Sequence, residues 1–377
     1  MTPSNPSLAT PGGAPRTALA EGPLAQWLLA SAQARSGPNE GAIAGCITGP
    51  GSAAYVYPEI AGYYLQWLAW RSTQFGASTD LTARAGSVQR WLARWLAMDG
   101  PPTRVHVDEA KDDWRNRGVF CFDVAMVLRG LGAAAHAQLL APDARVVDGV
   151  TRLLERMIAA DGQFVACVPH ANAEALPDRW STRRGPFLLK AAAGVIRACA
   201  VLSNVPATVT RAAERTFSAS LGLLAREPHR ETHPLLYAFE GVLNLPRHPR
   251  FHDTLPGLSV QFDILLAQAA SDGHLPETLG IAAAKSTARI DVTAQALRIG
   301  YLLAAHRPQQ PPDRVALARM RQALARQVRP AGSVAFARGA DASQSNVWAT
   351  MFADQALAFA TPAREANAAW RSDPLIV

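Results

Sequence analysis

The chain has 377 residues, enough to bury a large core, and its 49% apolar and 18% charged composition is that of a globular protein rather than a disordered one. Its formal charge of +7 invites a polyanion reading, but all but three of the 37 cationic residues are Arg, scattered with no dense basic run. That pattern argues against a nucleic-acid partner and leaves a diffuse positive field suited to an acidic substrate.

Residues 1–21 are rich in Pro, Ala, Gly, Ser and Thr. They lack the basic start and apolar core of a secretory signal, and read as a disordered tail on a cytoplasmic protein. From residue 22 to 365 the chain alternates two kinds of stretch. Amphipathic helices are expected at 23–35, 80–98, 143–160, 207–226, 258–271 and 312–328. The clearest is 143–160, where Val146, Val147, Val150, Leu153, Leu154, Met157 and Ile158 share one face and Arg145, Asp148, Arg152 and Glu155 the other. Each is followed by an alanine-rich stretch that is apolar nearly all round, starting near Tyr57, Val119, Gly185, His233, Ile290 and Asn346. A helix apolar on all sides is buried on most of them. Asp99-Gly100, Asp161-Gly162, Asp272-Gly273 and Ala331-Gly332 punctuate the links. Short extended pieces are expected near Gly162–Val168 and Gly332–Ala337. Residues 366–377 read as a C-terminal tail, and no stretch approaches a membrane span in length.

Six such hairpins predict an all-α fold, an (α/α)6 toroid with an inner ring of helices walled by an outer one. An open superhelix is the alternative, but its repeats run shorter, at about 34–47 residues. The inner helices would then start at one mouth of the ring, where an active site is expected.

Four segments carry a resemblance: YPEIAGYYLQWL at 57–68, FDVAMVLRGL at 122–131, HPLLYAFEGVL at 233–243 and SNVWATMFADQAL at 345–357. In order and spacing they resemble bacterial six-hairpin glycosidase-like proteins, many of them encoded beside polysaccharide biosynthesis genes. The resemblance spans about 300 residues and implies the toroid fold. It also implies a carbohydrate-active enzyme, with glycoside hydrolysis by carboxylate acid–base catalysis as the leading expectation. An epimerase, lyase or natural-product cyclase on the same ring, or a non-catalytic glycan-binding protein, are the alternatives. Several landmarks depart from the family pattern. Val124, Ala125 and Met126 replace Thr-Gly-Gln on the second inner helix, Asp291, Val292 and Thr293 replace Thr-Gly-Asn on the fifth, and Met351 replaces Lys on the sixth.

The candidate catalytic carboxylates are Glu59, Asp123, Glu240 and Asp291. Glu59 follows Pro58 in a first helical turn, where it also suits the exposed amides and the dipole. Asp123, among Phe120, Phe122 and Val124, would have a raised pKa fit for a general acid, or serve as a cap. His233, Tyr237 and Glu240 share one helical face, as a sugar site or a core network. The expected substrate-binding set is Tyr57, Tyr63, Arg184, His233, Tyr237, His274, Glu277, Asn346 and Trp348. Arg184 is placed there because an arginine at the mouth can clasp an anion bidentately. The polar insertion at 99–118 reads as a lid carrying Trp114. Its acidic residues Asp108, Glu109, Asp112 and Asp113 lack the spacing of a metal-diphosphate motif. Cys46, Cys121, Cys167 and Cys199 form no CxxC or zinc-ligand cluster, so they fit a reducing compartment. No nucleotide loop, GxSxG or HExxH is present. The expected ligand is a saccharide or other small molecule, with no cofactor and no metal.

Overall fold

The computed structural model describes residues 22–49, 51–107, 111–226, 230–280, 287–339 and 343–360. The two expected tails and the segment 361–365 lie outside the described residues, as do Asp108 and Glu109 of the insertion.

Among the described residues twelve α-helices alternate as the patterning predicts. The outer set is α1 (Pro23–Ser31), α3 (Thr79–Leu96), α5 (Ala144–Glu155), α7 (Ala207–Arg226), α9 (Phe251–Leu266) and α11 (Arg314–Arg326). The inner set is α2 (Pro58–Phe75), α4 (Cys121–His136), α6 (Leu188–Cys199), α8 (Thr232–Leu243), α10 (Ile290–His306) and α12 (Val347–Phe359). Each inner helix packs on the next, and α12 packs back on α2, so the inner ring closes. The outer helices α3, α5, α7, α9 and α11 each lie on the inner helix that precedes them, while α1 lies on α12. This is the (α/α)6 toroid, and the open superhelix is excluded by the α12–α2 contact.

Residue chemistry explains the layering. In α4 only Asp123, Arg129 and His136 interrupt an apolar helix, and Cys121 through Gly132 are all buried. Each fully buried Leu, Val or Phe contributes about 1.5–3 kcal/mol. Helices this apolar approach to backbone contact wherever glycine permits. A Cβ on Gly62 of α2 would meet the backbone of Met126 and Val127 in α4, and one on Gly130 would meet Gly62 in return. The outer helices are capped by conventional means: Ser78, Asp143 and Asp313 accept from the amides of Leu81, Arg145 and Val315.

Three local features differ from expectation. Helix α9 begins at Phe251, seven residues before the expected 258, and carries Pro256 within it. A proline early in a helix forfeits only one intrahelical bond, and the buried Phe251 and Leu255 hold the first turn to the core. Of the expected extended pieces, β5 (Cys167–Pro169) pairs with β4 (Gly118–Phe120), whereas 332–337 forms no strand beyond a single bridge from Ala337 to Arg289. A four-stranded antiparallel sheet was not anticipated. It has the order β3-β2-β1-β6, from β3 (Val105–His106), β2 (Ser52–Val56), β1 (Ala44–Thr48) and β6 (Gln344–Asn346). Strand β6 runs directly into α12 and β2 leads to α2, so the sheet ties the first hairpin to the last at the mouth of the ring.

Candidate active site

The mouth of the inner ring opens into a cavity of about 590 Å³. Its wall is built from the entrances of the inner helices, with contributions from the sheet and from the 99–118 insertion. Inner-helix N-termini converge there, so their exposed amides and dipoles favour negative charge in the space they enclose.

Eight of the thirteen sequence-predicted residues line this cavity: Tyr57, Glu59, Asp123, His233, Tyr237, Glu277, Asn346 and Trp348. Glu59 and Asp123 are in the first turns of the neighbouring helices α2 and α4, and both are largely buried. The Tyr57 phenol donates to Asp123 Oδ2 at 3.2 Å and interacts with Glu59 as well. Burial pushes the Asp123 carboxyl well above its usual range, and the nearby Glu59 charge pushes it further. Burial also raises Glu59, against the opposing pull of the Tyr57 hydrogen bond and the Lys190 charge. Two carboxyls held this way favour retaining a proton between them.

Across the ring stands His233 of α8. Its Nδ1 is 2.6 Å from Gln295 Oε1 and 3.9 Å from Asp291 Oδ2. Burial, assisted by the Arg289 charge, lowers the imidazole to about 3, so it is neutral across the physiological range. Its ring packs at 4.2 Å from Tyr237, which stacks at 4.5 Å on Phe122. Trp180 meets both His233 and Tyr237 edge-on. These rings give the cavity an aromatic flank of the kind that covers the apolar face of a sugar.

Five predicted residues stand outside the cavity lining. Asp291 is fully buried in the wall. Burial alone would raise it, but the Arg289 guanidinium, in contacts of 3.1 and 2.6 Å, holds it below the usual carboxyl range. It also accepts from Trp348 Nε1 at 3.3 Å, and so orients two cavity residues. Glu240 is fully buried deeper in the ring, with Lys190 Nζ at 2.6 Å and the Arg298 guanidinium on its other oxygen. Tyr63 is buried there too, with Lys190 Nζ 4.7 Å from its ring centre. His274 is buried beside Thr293, 3.3 Å from its hydroxyl. Arg184 does clasp a carboxylate bidentately, but the carboxylate is Asp161, at 2.6 and 3.0 Å, so it pins the entry of α6 to the turn after α5.

Other cavity residues went unassigned by the sequence reading. Arg104, Arg115, Arg179 and Arg289 all line the wall, with Tyr55, Phe336 and Gln344. Asp113 holds Arg104 and Arg115 at 3.2 and 3.1 Å, and Arg104 lies 4.4 Å over the Tyr55 ring. The insertion expected as a lid is therefore laid on the sheet through β3, with Trp114 in the wall. Only Arg289 carried a signal, since it stands at the entry of an inner helix as Tyr57 and Asn346 do. Among the described residues no cluster of three or more His, Cys, Asp or Glu side chains forms a metal site, and no helix is long and apolar enough to cross a membrane.

No protein-family model and no curated protein sequence matches the chain. Solved structures do. The chain is similar to a D-mannose isomerase, with a TM-score of 0.64 at 12% identity over 89% of this chain and 95% of that one. It is similar to the cellobiose 2-epimerase from Spirochaeta thermophila, with a TM-score of 0.64 at 16% identity over 90% and 93%. It is also similar to a glycosidase solved in complex with glucose, with a TM-score of 0.59 at 13% identity over 89% and 97%. These are six-hairpin glycosidase-like toroid proteins, and at such identities the likeness is one of fold.

Proposed function

We propose that this chain is a saccharide-processing enzyme that moves protons at a reducing sugar, as an isomerase or epimerase. The observation that carries the reading is the placement in one cavity of His233 and the Asp123–Glu59 pair joined through Tyr57; burial favours the neutral imidazole and the protonated carboxyl. In the proposed step His233 removes the proton from the carbon beside the sugar carbonyl. The Asp123–Glu59 pair gives its proton to the carbonyl oxygen, yielding an enediol. Return of the proton from His233 to C1, with the C2 hydroxyl proton going back to the carboxyl pair, completes isomerisation; return to C2 after the enediol has turned its opposite face to His233, with the C1 hydroxyl proton going back to the pair, completes epimerisation. At neutral pH the carboxyl pair has a proton to give and the neutral imidazole a lone pair to accept one, while the Asp291 carboxylate, 3.9 Å from Nδ1, offsets the charge the imidazole gains in the step. The isomerase and epimerase among the structural neighbours agree with it.

Hydrolysis is the second reading, supported by the same carboxyl pair and by the glycosidase neighbour. It calls for one ionised carboxylate facing one protonated one across the scissile bond, about 5–9.5 Å apart. Glu59 and Asp123 instead share Tyr57 on one side of the cavity, so the facing carboxylate would have to be Glu277, whose Oε1 is 3.6 Å from Arg289. Incubation with aldoses, ketoses, reducing disaccharides and their uronates in deuterated water separates the readings by NMR. Deuterium entering at C1 of a ketose or C2 of an aldose with interconversion of sugars is the expected result, reduced about 100-fold or more in His233→Asn. Release of new reducing ends from oligosaccharides without exchange would favour hydrolysis. Neither reaction with any sugar would remove the enzymatic proposal.

A further inference from the structure

Behind His233 lies a buried chain of hydrogen bonds that the proton-transfer step does not use. Arg298 and Lys190 both donate to Glu240, the lysine at 2.6 Å. Gln295 Nε2 donates to Glu240 Oε2 at 3.1 Å, and Gln295 Oε1 stands 2.6 Å from His233 Nδ1. All but His233 are wholly inaccessible to solvent. A carboxylate between two cations can only accept, so the Gln295 group facing it is the amide NH₂. The amide oxygen therefore faces His233. An oxygen at hydrogen-bond distance needs a hydrogen on Nδ1, and a neutral imidazole has only one to give.

We infer that Glu240 and Gln295 are positioning residues that lock His233 as its Nδ1–H tautomer and so reserve the Nε2 lone pair for the ring edge turned away from Gln295. His233 lines the cavity, and with Nδ1 engaged by Gln295 the lone pair left for a substrate is the one on Nε2. In the opposite tautomer the base would be turned into the protein core. Stability alone gives little reason for the arrangement, because well-packed apolar side chains commonly hold a core as well as a buried ion pair. The inference deepens the proton-transfer reading and rests on it for its catalytic meaning, but the tautomer belongs to the free protein.

Two-bond ¹⁵N–¹H NMR of the histidine-labelled full chain, with the His233 signal assigned by its loss in His233→Asn, reads the tautomer without substrate. The native protein is expected to show a protonated Nδ1 and an unprotonated Nε2 in nearly all molecules. Gln295→Met removes the acceptor, and the Nδ1–H form should fall to a minority. Glu240→Gln leaves the Gln295 amide free to flip, and should give a mixture. If that variant does not fold, Gln295→Met decides. An Nε2-protonated His233 in the native protein, or an unchanged tautomer in folded Gln295→Met, would overturn the inference. A confirmed tautomer with no solvent exchange at any sugar would leave it standing and sink only the proton-transfer reading.

Discussion

His233 can be tested through stability as well as through turnover. Its folded pKa of about 3 lies below the ordinary 6.5, so the unfolded chain binds the extra proton as pH falls between those values. The contribution is fully present above pH 6.5 and is lost progressively toward pH 3, the loss by then amounting to roughly 5 kcal/mol. Urea titrations from pH 7.5 to 3.5 should show the native protein losing stability faster than His233→Asn; parallel losses would mean that the imidazole is not held neutral. Asp123 responds in the opposite direction. Its carboxyl is raised by burial and then by Glu59, so Glu59→Gln should lower its titration midpoint while burial keeps it above the usual carboxyl range. Carboxyl ¹³C NMR reads the midpoint directly, and in an active enzyme the alkaline limb of the rate profile should move to lower pH with it. The sequence made Glu59, Asp123 and His233 legible because each stands at the start of a strongly apolar helix, where a polar side chain is conspicuous. Arg104, Arg115 and Arg179 were not legible, since they come from loops where arginine is ordinary and no period marks a direction. Depth was hidden as well: Glu240 shares a helical face with His233 and Tyr237, yet two turns carry it from the mouth to the middle of the ring.

Between helices, glycine sets how closely the ring is drawn. The Gly62–Gly130 crossing brings the backbones of α2 and α4 together, and a methyl group on Gly62 would meet Met126 and Val127 main-chain atoms that have no rotamer to change. Gly62→Ala should therefore destabilise by about 1–3 kcal/mol or more, despite the better helix propensity of alanine. Gly222 in α7 is the control, with nothing within 4 Å of its Cβ position. Gly222→Ala should stabilise by roughly 0.5–1 kcal/mol. Chemical denaturation of the pair checks both signs, and equal effects would refute the close crossing. The helical layers were readable because a nearly all-apolar stretch beside an amphipathic one admits few other placements. The sheet was not. Its strands AGCIT and SAAYV are built largely of small residues without a sustained period of two, and β6 pairs with β1 from nearly 300 residues away. Helix α9 starts at Phe251 rather than at the expected 258, with Pro256 inside it.

At the scale of the molecule, closure makes the first and last described hairpins mutually dependent. Helix α1 buries Leu24, Ala25 and Leu28 and packs on α12, the last inner helix, so the first described helix walls the last hairpin. The α12–α2 contact and the β1–β6 pairing join the same two regions from inside and from the mouth. Among the described residues the first and last hairpins are thus joined at the seam by three contacts, in contrast to a solenoid whose repeats contact only their neighbours. Gly332 is the position where this can be tested away from the cavity. It has φ of +89°, and a Cβ there would meet the Pro23 carbonyl at the start of α1. Gly332→Ala combines backbone strain with a clash against main chain, and should cost about 2 kcal/mol or more. If the seam is cooperative with the rest, far-ultraviolet circular dichroism and tryptophan fluorescence will shift together to a lower unfolding midpoint, and the cavity titrations of Asp123 and His233 will be unchanged in the folded variant. A separate early transition for part of the helical signal would instead show that α1 detaches alone and that the ring does not need its seam.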